Sequence, residues 1–483
     1  MKKIKIFTLA AALLLSATSC REEFLETEPS QFVDNPSTQN ILNGMYLGMI
    51  TTYTGGTTSH TDFGQKGYDI YLDMLCADMT LGASSYGQYR GLVQLNDTQD
   101  QTNTTNYQGW RYYYRMVLVA NNVISRLGGN DATSFSTKED RWAMGQAKAM
   151  RAHSYLYLMQ MYNEKYDPSA EAIPLYLEPT KSAGPKAKQS EVYAQMINDL
   201  EQSIVFLADF NRQKKMMINK FVAEGILSYV YAAMGDYEKV IPLAKDIIEN
   251  SGHPKTTVEQ AVRIGSTGGG FNDLTTPSWM WGFDLTSIDN GLNLVSWFGQ
   301  VDIFTYSYAF VGDAKAMDIN LFNSMRDDDI RRKQFTGSRN GVSILPTEKF
   351  FAPARTLGGT RYVDADYIYM RSDEFYLLYA EALAKTGNES LATTTLKNYL
   401  TGRITDLTYL DALSGQALLD EIYKNTRVEL WGEGKSYFAM KRNKATITRG
   451  SNHLYLKGQS FSHDDPKLTF RIPQAEIIDN PNF

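Results

Sequence analysis

The sequence of 483 residues predicts a mostly α-helical protein, in which pairs of helices form a scaffold beside two loop-rich regions with short strands. Three observations support this prediction. Apolar residues recur with helical spacing, mainly within residues 110–250 and 370–445. Two of these stretches break at a short Gly-containing turn, as helical hairpins do. Residues 54–109 and 251–350 instead hold many Gly, Thr and aromatic residues without a sustained period, so we expect irregular structure there.

The helical segments can be placed in order from their periodicity. We expect helices at residues 41–50, 68–77, 110–127, 141–162, 190–209, 219–234, 237–250, 371–386, 389–400, 415–432 and 434–442. Ser190 is the predicted N-cap of the fifth helix, since its hydroxyl can accept a hydrogen bond from a free backbone N–H of the first turn. His153 lies in a strongly apolar helix, so we expect a core or interface residue rather than a metal ligand.

Two helix pairs have a turn that resembles that of a tetratricopeptide hairpin. GILSYVYAAMGDYEKVIPLAKDII turns at Gly235-Asp236, and FYLLYAEALAKTGNESLATTTLKNYL turns at Gly387-Asn388. The second helix of the first pair fits poorly, with Val240 and Ile247 where the repeat usually has alanine. Because the turns are 152 residues apart, we interpret them as degenerate pairs within a larger scaffold rather than as a tandem array.

The N-terminus has the three-part build of an export signal. Three lysines precede an apolar run from Ile6 to Leu15. This run is shorter than the ~20 residues that a membrane-spanning helix needs, so it predicts a cleaved signal. The stretch Ala17-Thr18-Ser19-Cys20 then resembles a bacterial lipobox.

We expect three segments of chain, from the lipobox, from the polar stretch with two prolines that follows it and from the absence of a clear linker after that. Residues 1–19 are the signal peptide, residues 20–40 are the lipidated N-terminus and a tether, and residues 41–483 form one body. Cys20 is the predicted lipidation site; the alternative is an ordinary secretory signal with an incidental cysteine. Arg21-Glu22-Glu23 resembles the signal that sends Bacteroidota lipoproteins to the outer face of the outer membrane.

Charge and cysteine content narrow the function further. The chain has 48 basic and 54 acidic side chains, a formal net charge of −6; loss of the three lysines of the signal leaves −9. A basic nucleic-acid footprint is therefore absent. Cys76 is the only other cysteine, so no intrachain disulfide can form once Cys20 is lipidated. Aromatic residues make up 12%, with 31 tyrosines, a composition that suits binding of polar ligands as well as core packing.

Motifs for catalysis, cofactor binding or metal binding are missing from the sequence. It has no nucleophile elbow, no phosphate-binding loop and no dinucleotide fingerprint. Its five histidines are scattered and form no metal-ligand pair. Acidic residues are plentiful, but no pair of them is singled out for glycoside hydrolysis. We therefore expect neither a cofactor nor an enzymatic activity.

Five stretches, in chain order, resemble the motifs of one protein family. They are RAHSYLYLMQMY with a later IPL, INKFVAEGILSYVYAAMGDYEKV, RSDEFYLLYAEALAKTGN, RVELWGEGKSYFAMKR and IPQAEIIDNPN. The family is SusD/RagB, the surface lipoproteins of Bacteroidota nutrient-uptake systems. Ser436 and Ala439 depart from the pattern, because the family commonly has arginine and aspartate there, and this puts a local ion pair in doubt.

The resemblance implies a fold and a role. The implied fold is mostly helical, with four degenerate tetratricopeptide pairs supporting a loop-rich half. The implied role is to capture an oligomer outside the cell and to cap a TonB-dependent, SusC-like transporter in the outer membrane. Most members bind glycans and some serve peptide uptake.

A glycan site would use aromatic rings as stacking platforms, with polar side chains orienting the hydroxyl groups. Candidates should lie in the two irregular regions rather than on packing helices. The candidate platform residues are Tyr86, Tyr89, Trp279, Trp281, Trp297, Tyr306 and Tyr308, and the candidate polar residues are Arg90, Asn96 and Asp97. Core packing is the alternative for each aromatic residue.

Four functions stay open at this point. The first is a non-catalytic glycan-binding lipoprotein. The second is an oligopeptide-binding, RagB-like uptake component, which would need fewer exposed aromatic residues. The third is a surface glycoside hydrolase, and the fourth is a structural lid with no ligand of its own.

Overall fold

A computed structural model describes residues 36–180, 182–285 and 294–483. The predicted signal peptide, Cys20 and most of the predicted tether lie outside the described residues. The helices, in chain order, are α1 (Thr38–Gly48), α2 (Gln65–Leu75), α3 (Arg90–Val93), α4 (Thr104–Arg126), α5 (Lys138–Tyr162), α6 (Gln189–Phe206), α7 (Lys220–Met234), α8 (Tyr237–Asn250), α9 (Val258–Ala261), α10 (Trp297–Val301), α11 (Tyr308–Val311), α12 (Ile319–Ser324), α13 (Asp373–Lys385), α14 (Glu389–Leu400), α15 (Gly415–Glu429), α16 (Ser436–Arg442) and α17 (Gln474–Asp479).

The strands are short and pair only two at a time among the described residues. They are β1 (Met79–Leu81), β2 (Glu171–Pro174), β3 (Lys186–Lys188), β4 (Arg263–Ile264), β5 (Thr267–Gly268), β6 (Trp279–Phe283), β7 (Lys315–Met317), β8 (Gly337–Arg339), β9 (Val342–Leu345), β10 (Tyr367–Arg371), β11 (Thr446–Thr448) and β12 (Ser460–Ser462). The pairs are β1–β7, β2–β3, β4–β5, β6–β10, β8–β9 and β11–β12, all antiparallel. This mixture of long helices and short strands confirms the predicted fold class.

Helix starts follow side chains that can accept a hydrogen bond from the first turn. Asn103 caps α4, Thr137 caps α5 and Asn219 caps α7 in this way. Ser190 does not cap α6, because the helix already begins at Gln189. Instead, the Glu191 carboxylate reaches back and accepts the Lys188 backbone N–H at 2.8 Å.

The helical scaffold is a series of packed neighbours. Helix α5 is buried from Ala143 to Tyr162 and packs between α4 and α6. The two predicted helix pairs are α7–α8 and α13–α14, and α13 also packs against α8, so pairs that are distant in sequence adjoin in space. His153 is buried on α5, as expected, and burial lowers the pKa of its imidazole to about 3.

Both pair turns depend on a glycine with a left-handed backbone. Gly235 has a φ of 82° and Gly387 has a φ of 83°. The following N–H groups reach back to close the helix: Asp236 donates to the Tyr231 carbonyl at 3.0 Å, and Asn388 donates to the Leu383 carbonyl at 2.8 Å. This is the pattern in which a C-terminal glycine terminates a helix and turns the chain.

Charged residues of the family-like motifs form a network inside the protein. Arg371 is buried, and its guanidinium lies 2.9 Å from Asp373, 3.0 Å from Glu429 and 2.8 Å from Glu433. Arg403 joins Asp373 at 2.9 Å, which closes the network between α13 and α15. These motif residues therefore hold the scaffold together rather than face a ligand.

Two strand pairs tie the irregular regions to each other and to the scaffold. Strand β1 pairs with β7, with Met79 opposite Met317, so the two irregular regions meet. Strand β6 pairs with β10, which leads directly into α13. No helix in the described part of the chain is long and apolar enough to cross a membrane.

Candidate ligand-binding site

Four of the aromatic candidates lie in the core and offer no face to a ligand in this structure. Trp279 and Trp281 belong to β6, whose five residues are all buried, and their indole N–H groups donate to the Gly270 and Met216 carbonyls at 2.8 and 2.7 Å. Trp297 is buried beneath Lys66, and Tyr89 is 5% exposed. These residues sit in an irregular part of the sequence, but irregular backbone here still packs against apolar neighbours.

The other three aromatic candidates lie at or near the surface, and the rings of Tyr86 and Tyr308 meet there. Tyr86 is 61% exposed and Tyr306 is 43% exposed. The ring of Tyr86 lies edge-on to that of half-buried Tyr308, with centroids 5.9 Å apart. Residues 82–109 and the second irregular region therefore contribute to one aromatic surface.

Two residues of the loop after α1 complete this surface. His60 Nδ1 lies 2.5 Å from the Tyr308 hydroxyl, and the rings are 5.9 Å apart. Tyr53 is 40% exposed and is one of the neighbouring phenols that, after burial, contribute to the raised pKa of Tyr308. We name Tyr53, His60, Tyr86, Tyr306 and Tyr308 the tyrosine platform.

Asp313 holds the Tyr86 loop in place. This buried carboxylate accepts the backbone N–H groups of Ser85, Tyr86 and Gln88 at 2.5, 3.0 and 3.2 Å. Three such bonds occupy both carboxylate oxygens and orient the loop against β7. The exposed ring of Tyr86 is therefore positioned by a residue more than 220 positions away in the chain.

A buried lysine lies beneath the tyrosine platform. Lys315 Nζ donates to Gln300 Oε1 at 2.7 Å, and Gln300 Nε2 donates to the His60 carbonyl at 3.3 Å. Lys315 also lies 4.9 Å from the ring centre of Tyr89. Burial lowers the pKa of Lys315 to about 7. Tyr89 is thus linked to the platform through Lys315 and Gln300.

The three polar candidates divide between different places. Arg90 is exposed, next to the Tyr86 loop, where it donates to Ser84 Oγ at 3.4 Å and to the Ser84 carbonyl at 3.2 Å. Asp97 accepts from Asn103 Nδ2 and Thr105 Oγ1 at 3.0 and 3.2 Å, so it serves its own loop. Asn96 lines a separate cleft.

Several surface residues near the platform had no distinctive signal in the sequence. Tyr306 donates its backbone N–H to the Thr360 carbonyl at 2.8 Å, which brings the loop with Arg361 and Tyr362 to the platform. Arg361 stacks 3.7 Å from the ring centre of Tyr306, and Tyr362 is 55% exposed. Tyr53, His60 and Arg361 are single residues in polar loops, so the sequence did not single them out.

Two clefts lie away from the platform. A cleft of about 400 Å³ near the C-terminus is lined by residues that include Lys165, Lys186, Arg471 and Phe483. A second cleft, of about 390 Å³, is lined by Asn96 and its neighbours. No group of three or more His, Cys, Asp or Glu side chains able to hold a metal occurs within the described ranges. A polymer can lie along an open surface, so the platform needs no enclosing cavity.

Two family profiles match this chain. One, described as "SusD-like_3: Starch-binding associating with outer membrane", matches residues 23–232. The other, described as "SusD_RagB: SusD family", matches residues 322–482. Together they cover well over half of the chain. The fold is thus that of a family described as associating with the outer membrane, and the chain belongs to the SusD/RagB family, as its motifs predict.

Two curated relatives are similar over part of their length. SusD-like protein P25 of Formosa agariphila is 22% identical over 258 residues, which are 52% of this chain and 47% of the relative. A SusD-like protein of Bacteroides ovatus is 27% identical over 162 residues, which are 30% of this chain and 27% of the relative. The matches span about half or less of these relatives.

Solved structures share the fold over most of the chain. A SusD-like carbohydrate binding protein from Bacteroides vulgatus superposes with a TM-score of 0.76 at 24% identity, covering 92% of this chain and 96% of that chain. A SusD superfamily protein from Bacteroides thetaiotaomicron gives a TM-score of 0.76 at 22% identity, with 92% and 98% covered. Surface glycan-binding protein A from Bacteroides uniformis gives 0.64 at 17% identity, again with 92% and 98% covered.

Proposed function

We propose that this protein is a non-catalytic, glycan-binding lipoprotein of the outer membrane, which captures an oligosaccharide or polysaccharide on the tyrosine platform. The observation that carries the proposal is the convergence of exposed aromatic rings from distant chain segments, centred on Tyr86 and Tyr308. Family membership and the carbohydrate-binding relative of the same fold support it. The apolar faces of sugar rings stack on such side chains, while hydroxyls bond to the polar groups around them.

The acids near the platform do not favour hydrolysis. Asp313 is buried and accepts three backbone N–H groups, so its carboxylate is covered and cannot transfer a proton to a glycan at the surface. Asp62 also accepts from its own loop, at Gly55 and Thr57. We therefore propose that a bound glycan leaves this site unchanged.

We further propose where the protein works. The lipobox-like stretch at Cys20 supports a lipid anchor, and the acidic residues after it support export to the outer face of the outer membrane. Delivery of the captured glycan to a TonB-dependent, SusC-like transporter is the role that family membership supports. This partnership can be tested by co-purification of the tagged protein with a barrel transporter from its native membrane.

Binding can be tested with soluble protein from residue 21 onward, screened against polysaccharides and peptides by gel retardation and calorimetry. We expect retardation by a glycan, with the glycan unchanged in length afterwards. Tyr86→Ala should weaken binding on the order of tenfold, because a stacking ring is worth about 1–1.5 kcal/mol. Tyr86→Phe should keep most of the affinity, since the ring remains.

Leu391→Ala is the matched control, because Leu391 is an exposed apolar residue on α14, in the helical scaffold. It should leave binding unchanged. Response to peptides alone would replace the proposal with oligopeptide uptake. Shortened glycan products would show that the protein is a hydrolase. No detectable binding of any glycan or peptide would favour a structural lid.

A further inference from the structure

We propose that the tyrosine platform recognises an anionic glycan, one whose sugars carry carboxylate or sulfate groups, through a rim of arginines. The inference rests on the proposed glycan-binding function and adds the substrate class. Three exposed arginines each contact a residue or a loop of the platform: Arg90 contacts the loop of Tyr86, Arg111 the loop of Tyr53 and His60, and Arg361 the ring of Tyr306. We name them the arginine rim.

Arg361 is the best prepared of the three for an anion. Its guanidinium stacks 3.7 Å from the ring centre of Tyr306 and makes neither an ion pair nor a hydrogen bond within the described part of the chain. Stacking uses the flat face of the guanidinium and limits its motion, while the N–H donors in its plane stay available. These donors match the two oxygens of a carboxylate or a sulfate.

The other two arginines lie beside the remaining parts of the platform. The Arg90 guanidinium donates to Ser84, at the start of the loop that presents Tyr86. Arg111 approaches the loop that holds Tyr53 and His60, and a Cβ at Gly56 would be 2.6 Å from its Nε. Its guanidinium also donates to the Tyr107 hydroxyl at 2.8 Å.

The charge of the arginine rim is not neutralised by nearby acids among the described residues. None of the three arginines has a carboxylate within 4.0 Å there, although eleven other arginines do. Asp313 is occupied by backbone N–H groups, and Asp364, three residues after Arg361, makes no ion pair with it. In a chain with net charge −6, unpaired arginines around one binding surface indicate a local anion preference.

The test uses pairs of polymers that differ only in charge. Dextran sulfate is compared with dextran, and polygalacturonate with its methyl ester, by calorimetry on the protein from residue 21 onward. We expect the charged member of at least one pair to bind at least tenfold more tightly at low salt, and to weaken as salt rises. The two pairs separate sulfate from carboxylate as the recognised group.

Variants then locate the effect. Arg361→Gln should lower the affinity for the anionic ligand on the order of fivefold and change the affinity for a neutral ligand by less than about twofold. Arg361→Lys should restore only part of the loss, because the planar fork is missing. Arg471→Gln, in the C-terminal cleft, is the matched control and should change nothing. Arg361 is exposed, so both of its variants should melt like the parent.

The outcomes separate this inference from the function on which it rests. Equal binding of charged and neutral partners, with loss on Tyr86→Ala, would overturn the anion preference and keep the glycan-binding function. Loss on Arg471→Gln instead of Arg361→Gln would move the anion to the C-terminal cleft and overturn the inference. Failure to bind any charged or neutral glycan would overturn both.

Discussion

At the scale of single residues, a network of buried charges joins elements of this fold that are distant in sequence. Arg371 contacts three carboxylates in the core, and the family-like motifs supply both the arginine and its partners Glu429 and Glu433. Such a network is stable only while it is complete, because each group has lost its contact with water. The charged residues of these short motifs therefore belong to the core.

Arg371→Ala should destabilise the protein by about 3–5 kcal/mol, since it leaves buried carboxylates without their cation. Urea denaturation followed by circular dichroism measures this change. Arg115→Ala is the control, because Arg115 is exposed on α4, and it should shift the unfolding free energy by less than about 0.5 kcal/mol. Equal effects of the two variants would mean that the network contributes nothing.

The lowered pKa of Glu381 predicts part of the loss of folding stability at acid pH. Burial raises the pKa of Glu381, but Arg442 at 2.9 Å and Lys385 at 3.1 Å outweigh burial and lower it to about 2. In the unfolded chain a glutamate titrates near a pKa of about 4.3. The stabilising contribution is therefore present above about pH 4.3 and is lost as the pH falls towards about 2.

Glu381→Gln should lower stability at pH 7 by about 2–3 kcal/mol and flatten the fall in stability between about pH 4.3 and pH 2. Urea midpoints measured across this range test both effects. Glu249→Gln, at an exposed position on α8, should keep the parental pH profile. If Glu381→Gln keeps the parental dependence of stability on pH, Glu381 is not a source of the acid sensitivity.

At the scale of elements, the two helix pairs depend on their turns. Gly235 ends α7 with a φ of 82°, and a Cβ at this position would meet nothing within 4 Å. Any cost of a side chain there comes from the backbone conformation alone. Gly44, in contrast, lies within α1, is exposed and also has free space around it.

Gly235→Ala should destabilise the protein by about 1 kcal/mol, because alanine disfavours the left-handed region. Gly44→Ala should stabilise it by about 0.5–1 kcal/mol, because alanine is the better helix former. Thermal melts of the two variants give changes of opposite sign if the backbone conformations are as described. A shift in the same direction would contradict this explanation.

At the scale of the whole molecule, the tyrosine platform exists only because distant segments meet. The antiparallel pair β1–β7 joins the two irregular regions, and Asp313, next to β7, receives the loop of Tyr86. A substitution at Asp313 should therefore alter glycan binding, although we do not expect this residue to contact the ligand.

Asp313→Ala should release the loop of residues 84–88 and weaken glycan binding by more than its effect on melting would suggest. Limited proteolysis of the loop and calorimetry with the identified glycan measure the two effects. Asp327→Asn is the control, since the Asp327 side chain is fully exposed. Unchanged binding by a protease-sensitive Asp313→Ala protein would show that loop order is irrelevant to capture.

Most helices could be predicted from the sequence, because a 3.6-residue apolar period is a local property. The helix expected at 237–250 has those bounds, and α4 and α5 begin six and three residues before the expected starts. Ser190 shows the limit, since the chain enters α6 earlier than the best capping residue suggests. Trp279 and Trp281 show another limit. They lie in a segment without a regular apolar period, and this irregularity does not reveal whether other parts of the chain pack over the segment.

The sequence by itself determined the helical scaffold and the family. These follow from local periodicity and from residue types that are placed close together in the chain. Tertiary structure alone decided which aromatic residues reach the surface, since burial depends on what packs over a side chain. It brought Tyr53, His60, Tyr86, Tyr308 and the arginine rim together, because pairing of β1 with β7 and the bonds to Asp313 join segments that sequence order keeps more than 200 residues apart.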